Sequence, residues 1–237
     1  MENIENKVAL ITGGSKGIGF GIAEALVTAR VNVAVTSRTK SAAEKAAALL
    51  NDMDGGRAIA VEADVRDEQS QNRAVETVLA KWGQLDVLVA NAGVGHFAPV
   101  HQMSLEQWRE TIDTNLTGVF LSIRAAVPAL RASKGYIITI GSLAGTNFFA
   151  GGSAYNASKF GLAGFSQAVM LDLREEGIRV STIMPGSVAT GFSGNPGRDD
   201  AWKIAPKDIG QLVIDLLQMN PRTLPSKIEV RPSIPRK

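Results

Sequence analysis

The chain has 237 residues, 45% of them hydrophobic and 20% charged, which excludes a disordered chain and suits one domain with a full apolar core. Its 25 basic and 23 acidic residues leave a net charge of +2, too even for a nucleic-acid binder. With no cysteine there is no disulfide, thiolate chemistry or zinc ribbon, and the composition agrees with a cytoplasmic protein.

Residues 7–12, Lys-Val-Ala-Leu-Ile-Thr, predict a short apolar strand, and residues 18–29 a helix. Between them lies Gly13-Gly14-Ser15-Lys16-Gly17-Ile18-Gly19. A glycine-rich turn from strand into helix lets backbone approach a pyrophosphate, and the helix N-terminus offers free N–H groups and a positive dipole end. The spacing is Gly-x-x-x-Gly-x-Gly and not the G-x-G-x-x-G form. Residues 13–17 also match G-x-S-x-G, the nucleophile elbow of serine hydrolases. That fold builds half its oxyanion hole on a strand preceding the nucleophile, and only one strand's worth of chain precedes Ser15. The chain's two histidines, His96 and His101, both fall in a predicted loop. These two facts disfavour the hydrolase. No G-x-x-x-x-G-K-[ST] occurs, so a nucleotide triphosphatase is unsupported.

The second strand, 31–36, runs into Ser37-Arg38-Thr39-Lys40, with no carboxylate between Val31 and Lys40. An acid at this distance from the glycines takes the ribose hydroxyls of NAD, whereas an Arg accommodates the extra phosphate of NADP. Arg38 can fork onto a phosphate, Ser37 or Thr39 can hydrogen-bond it, and Lys16 adds a second cation. Basic residues are also common in a solvated strand-end turn, so it is the missing acid that favours NADP(H).

Helices over 41–52 and 67–81 and strands over 57–62 and 85–90 follow. Past the latter strand, Gly93-Val94-Gly95-His96-Phe97-Ala98 matches G-x-G-x-x-A, but Pro99 follows with no immediate helix, so we assign a loop. A long helix is predicted over 104–131, then a strand over 134–140 with Ser142 at its end. The helix over 152–176 carries Tyr155-Asn156-Ala157-Ser158-Lys159. A helix brings i and i+4 onto one face. A Lys159 ammonium there would favour the Tyr155 phenolate, lowering a pKa that is ordinarily about 10, and Ser142 would donate a hydrogen bond to a substrate oxygen. A strand over 178–184, a helix over 206–218, a strand over 226–230 and an exposed basic tail, 231–237, complete the chain.

This alternation predicts an α/β fold, a parallel sheet covered by helices on both sides. In such sheets ligands lie at the carboxyl ends of the strands. Gly13, Ser37, Asn91, Ser142 and Pro185 all fall just past predicted strand ends, five chemical candidates on one edge. The start of the chain has no apolar signal core, and no stretch approaches a membrane span.

Thr12-Gly13-Gly14-Ser15-Lys16-Gly17-Ile18-Gly19, Asn91-Ala92-Gly93, Asn115, Ser142, Tyr155-Asn156-Ala157-Ser158-Lys159 and Pro185-Gly186, in this order over essentially the whole chain, resemble the short-chain dehydrogenase/reductase family. The resemblance implies a single doubly wound, Rossmann-type domain with seven parallel strands and NAD(P)-dependent hydride transfer. By position it implies Tyr155 as general acid in reduction and base in oxidation, with Lys159 lowering its pKa and holding the nicotinamide ribose. It implies Ser142 polarising the carbonyl, and Asn115 supporting a water that links Lys159 to solvent. The turn Gly13, Ser15, Lys16, Gly17, Ile18 and Gly19 would hold the pyrophosphate, and Ser37 and Arg38 the adenosine end. Asp64, followed by Val65, would contact the adenine amino group; Asn91, with Ala92 and Gly93, would back the adenine ribose. Pro185, Gly186, Val188 and Thr190 would seat the nicotinamide. Read as structure alone, Asp64 would cap the helix starting near Asp67, and Pro185-Gly186 would be a turn. The chain departs from the family at Arg30-Val31, where Gly-Ala is usual before the second strand. A long or branched side chain at positive φ strains that turn.

The substrate-facing segments, 94–100, 143–152 and 187–205, carry Phe97, Phe148, Phe149, Phe192 and Trp202. They point to an apolar or aromatic carbonyl or alcohol substrate, or else to lid packing. The lid at 187–205 is short, which suggests an open site with broad carbonyl specificity. Surplus apolar residues on helices 104–131 and 152–176, together with Ala157, Gly161, Gly164 and Ala168, suggest a homodimer or homotetramer, as the family also implies. The composite expectation is an NADPH-dependent reductase of a ketone, aldehyde or 3-oxoacyl thioester, with no metal. An NAD-linked alcohol or steroid-type dehydrogenase and a non-catalytic NADP-sensing regulator are the alternatives.

Overall fold

The computed structural model describes residues 2–193 and 200–234. Seven strands form one parallel sheet: β1 (Val8–Ile11), β2 (Asn32–Ser37), β3 (Ala58–Glu62), β4 (Val87–Ala90), β5 (Tyr136–Ile140), β6 (Arg179–Pro185) and β7 (Lys227–Val230), in the order β3-β2-β1-β4-β5-β6-β7. The chain leaves β1 toward β2 and later returns to pair β4 on the other side of β1. That reversal opens a crevice above β1 and β4, the place where this architecture takes ligands.

The helices are α1 (Gly17–Thr28), α2 (Lys40–Asn51), α3 (Glu68–Trp82), α4 (Leu105–Ile112), α5 (Gly118–Ser133), α6 (Ser153–Leu173) and α7 (Pro206–Gln218). Strand periodicity divides the core. On β1, Ala9 and Ile11 join Ile22, Leu26, Leu50, Val213 and Leu217, under α1, α2 and α7. Val8 and Leu10 face the other way and join Val75, Val78, Ile123, Leu130 and Leu162, under α3, α5 and α6. Both faces are covered, which is why these strands are apolar throughout.

Three local results differ from the sequence expectations. The helix expected over 104–131 is two helices, α4 and α5, joined by a π turn over Asp113–Thr117 with Asn115 at its centre. Such turns insert an extra residue into a helix and recur at functional sites. Asp67 caps α3, accepting the Gln69 amide at 3.0 Å, so Asp64 is not the cap. Ser37 and Pro185 are the last residues of their strands instead of the first beyond them.

The strain anticipated at Arg30 is present. Arg30 stands at φ 61°, with the Arg30 amide bonded to the Val27 carbonyl and the Val31 amide to the Leu26 carbonyl, both at 2.9 Å. This is the left-handed closure that glycine ordinarily supplies. Part of the lid expected over 187–205 lies outside the described residues, as do the last three residues of the tail. No helix among the described residues is long and apolar enough to cross a membrane.

Candidate active site and dinucleotide cradle

Three strand ends are laced together beneath the glycine turn. The Thr12 hydroxyl accepts the amides of Asn91 (3.0 Å) and Ala92 (3.1 Å). The Asn91 side-chain amide donates to the carbonyls of Thr12 (2.9 Å) and Gly13 (3.1 Å). On the other side the Gly14 amide donates to the Thr36 carbonyl at 3.0 Å. Gly13 has φ 63°, and a Cβ there would stand 2.9 Å from the Ala92 Cα. A Cβ on Gly19 would stand 2.4 Å from the Asn91 side-chain nitrogen. Any side chain at either position would break the lacing.

Helix α1 begins at Gly17 behind an extended Lys16, and no side chain caps it. Its first N–H groups are therefore left for something else, an anion cradle by construction. Ser15 and Ile18 are half-buried in this turn, and Lys16 is exposed. A Cβ on Gly17 would lie 3.3 Å from the Thr190 methyl, so Thr190 flanks the turn. Val188 pairs with Ile204 as an isolated bridge, and the Gly186 amide donates to the Val230 carbonyl at 2.8 Å, which holds the 185–190 segment at this edge.

Tyr155 and Lys159 share one face of the first turns of α6, opposite the end of β5. The buried Lys159 ammonium donates to the Ile140 carbonyl at 2.9 Å and lies 5.8 Å from the Tyr155 ring centroid. Burial lowers its pKa to about 8. The expected lowering of Tyr155 by this lysine is corrected here: burial pushes the phenol above its ordinary value, and the opposing influence is a hydrogen bond from Ser142. The reason is geometric, because the ammonium is turned onto a backbone carbonyl and not onto the phenolic oxygen. Ser142 opens a short 3-10 turn, its hydroxyl accepting the Ala144 amide at 3.1 Å.

Asn115 is buried, and its side chain ties the loop after β4 to α6. It accepts the Val94 amide (2.8 Å) and donates to the Val94 carbonyl (2.8 Å) and the Ser158 hydroxyl (3.0 Å). Gly93 sits beside it, where a Cβ would be 3.2 Å from the Asn115 side-chain oxygen. Ser158 in turn donates to the Tyr155 carbonyl at 2.8 Å. Asn156, which sequence reasoning quoted but gave no role, donates to the carbonyls of Ala144 (2.7 Å) and Asn147 (2.8 Å) and so fixes the Ser142 loop. Its place between Tyr155 and Lys159 was the available signal.

The Tyr155 ring is flanked by Phe97 (centroids 5.5 Å apart) and Phe192 (5.9 Å), and Phe149 packs on Phe97 at 5.9 Å. Phe148 is exposed, and Trp202 lies near Lys203. Two of the five expected aromatics therefore flank the tyrosine, and a third packs behind one of them.

At the adenosine end, the Asp64 carboxylate is gripped by Arg66, with the closest contact 2.6 Å, and this holds its pKa below the ordinary value. In this arrangement Asp64 is an ion-pair member, where an open acceptor for adenine was expected. Val65 packs against Gly118 at the start of α5, where a Cβ would lie 2.7 Å from it. Arg38, exposed at the end of β2, reaches Glu110 of α4 at 3.4 Å. His96 bonds the other Glu110 oxygen at 2.8 Å, and His101 bonds Gln102, so both rings have partners other than Ser15. Sequence reasoning missed Glu110, which nothing local marks, and Arg66, whose place two residues after Asp64 was the available signal.

A family model described as short chain dehydrogenase matches residues 7–201. The chain belongs to this family. It is 39% identical over 194 residues to trans-4-hydroxycyclohexanecarboxylate dehydrogenase of Sinomonas cyclohexanicum, covering 80% of this chain and 75% of that protein. Among solved structures, an alcohol dehydrogenase from Thermococcus sibiricus complexed with 5-hydroxy-NADP superposes with TM-score 0.92 at 29% identity, covering 98% of this chain and 99% of the other. A 3-ketoacyl-(acyl-carrier-protein) reductase from Brucella melitensis complexed with NADH superposes with TM-score 0.89 at 26% identity, covering 97% and 98%. The three names give different substrates, and the two structures hold different dinucleotides. What the chain shares with the two solved structures is the fold, and the family to which it belongs is one of oxidoreductases.

Proposed function

We propose that this short chain dehydrogenase is an NADPH-dependent carbonyl reductase in which Tyr155 is the proton donor. The observation that carries the proposal is the cluster of Tyr155, Ser142 and Lys159 at the strand edge beside an uncapped α1. The glycine turn and the free amides of α1 fit a pyrophosphate, and Arg38 with Lys16 fits a 2′-phosphate. Bound there, the cofactor supplies the hydride.

The chain's own residues do the rest. Ser142 donates a hydrogen bond to the carbonyl oxygen and polarises it. Burial keeps Tyr155 protonated through neutral pH, which suits an acid that delivers its proton as the alkoxide develops. Lys159, fixed by Ile140, presents its remaining N–H bonds to the nicotinamide ribose. Pro185, Gly186, Val188 and Thr190 line the nicotinamide side. The rings of Phe97, Phe149 and Phe192 exclude water and favour an apolar ketone, aldehyde or acyl thioester.

An NAD-linked dehydrogenase is the second reading. It is favoured by one observation, that Arg38 already has a carboxylate partner. A regulator that binds NADPH without turnover would not need the Ser142–Tyr155–Lys159 set. The test is Tyr155→Phe against a panel of carbonyl compounds. Turnover is expected to fall by about 10²- to 10⁴-fold with NADPH binding retained. Undiminished turnover would remove Tyr155 from the reaction.

A further inference from the structure

The cations at the adenosine end that would receive a phosphate are opposed by nearby carboxylates. Two guanidiniums, Arg38 and Arg66, face three carboxylates, Asp64, Glu110 and Asp113. Arg66 is committed to Asp64 through several contacts. Of the two guanidiniums Arg38 is the one that remains, and Glu110 touches it from 72 positions away in the chain. Glu110 cannot simply swing aside, because His96 holds its second oxygen at 2.8 Å. That contact also keeps the glutamate charged, its pKa held below the ordinary value by the His96 hydrogen bond.

We infer that Glu110 is a specificity-determining residue that competes with the cofactor's 2′-phosphate for Arg38 and so limits the preference for NADPH over NADH. The inference rests on reading Arg38 as the 2′-phosphate receptor. The physical argument is a difference between two ligands. A 2′-phosphate must take the Arg38 guanidinium from Glu110 and then sit near an anchored negative charge, whereas the 2′-hydroxyl of NADH does neither. Both consequences oppose NADPH alone. The Arg38–Glu110 contact is single and long, with the arginine 59% exposed, so the competition is modest and does not block the site.

The experiment is fluorescence titration of the full-length protein and its Glu110→Gln, Glu110→Ala and Arg38→Met variants with NADPH and with NADH. Both Glu110 variants are expected to bind NADPH more tightly by about two- to tenfold, with NADH affinity little changed. In the Arg38→Met background the Glu110 substitutions are expected to have far less effect on NADPH. A merely structural Glu110 would shift both cofactors together, and a Glu110 that positions Arg38 for phosphate would weaken NADPH when removed. Either result overturns the inference. If Arg38→Met itself leaves NADPH binding unchanged, the receptor assignment fails and the inference with it. If Arg38→Met weakens NADPH but the Glu110 variants leave the NADPH-to-NADH ratio untouched, the Glu110 inference fails alone.

Discussion

Lys159 is a lysine with its ammonium buried on one backbone carbonyl, and its pKa of about 8 against an ordinary 10.5 makes it a stability probe as well as a functional group. Between those two values the unfolded chain binds the proton that the folded chain has lost. Stability from this residue is therefore lowest below pH 8 and rises through pH 8–10.5, by on the order of 3 kcal/mol across the window. Measured against Lys159→Met, the wild-type urea midpoint is expected to climb between pH 8 and 10. A difference that stays flat would mean the ammonium is not desolvated. Tyr155 titrates upward for the same reason, burial. Residue types and spacing put this pair on one helix face, but the burial that raises the phenol was not legible, because a sequence gives neighbours along a helix and not the dielectric around them or the carbonyl that captures the ammonium.

Two elements depend on single residues that a local pattern only half reveals. The left-handed end of α1 was legible, since Arg30 stands where glycine closes such turns. An L-residue there costs roughly 1–2 kcal/mol, and glycine returns part of the gain through unfolded-chain entropy. Arg30→Gly is thus expected to stabilise by about 0.5–1 kcal/mol and raise Tm by about 2 °C; a lower Tm in calorimetry would contradict the strain. The π turn was not legible, because one inserted residue hardly disturbs a 3.6-residue apolar rhythm over 104–131. Its product is the buried side chain of Asn115 with three hydrogen bonds. Asn115→Ala is expected to cost about 2–4 kcal/mol, by leaving Val94 and Ser158 without partners. Faster hydrogen exchange at the Val94 amide would locate the loss, and unchanged exchange there would show that the loop is held otherwise.

At the scale of the molecule, the seven strands and the sheet direction followed from apolar runs separated by amphipathic ones, because a parallel sheet buries both faces and writes that burial into every strand. The contact between Arg38 and Glu110, 72 positions apart, exists only once the sheet has assembled its edge. It had no sequence signal. Helices α4, α5 and α6 leave Trp108, Phe120, Phe160 and Leu171 exposed, and a Cβ on Gly164 would meet nothing. Phe120 and Phe165 meet edge to face at 6.3 Å on that side. A second copy of the chain is expected to cover this surface, so small-angle scattering at working concentration should give at least twice the monomer mass. A monomer would contradict that assembly.

The central claim is that a reduced dinucleotide seats on the glycine turn and reacts beside Tyr155. The most direct measurement is fluorescence titration of the wild type and Tyr155→Phe with NADPH and NADH. The account predicts saturable binding by both proteins, tighter for NADPH, with turnover of a carbonyl panel confined to the wild type. Absence of dinucleotide binding in the folded wild-type protein would contradict the cradle and the chemistry built upon it.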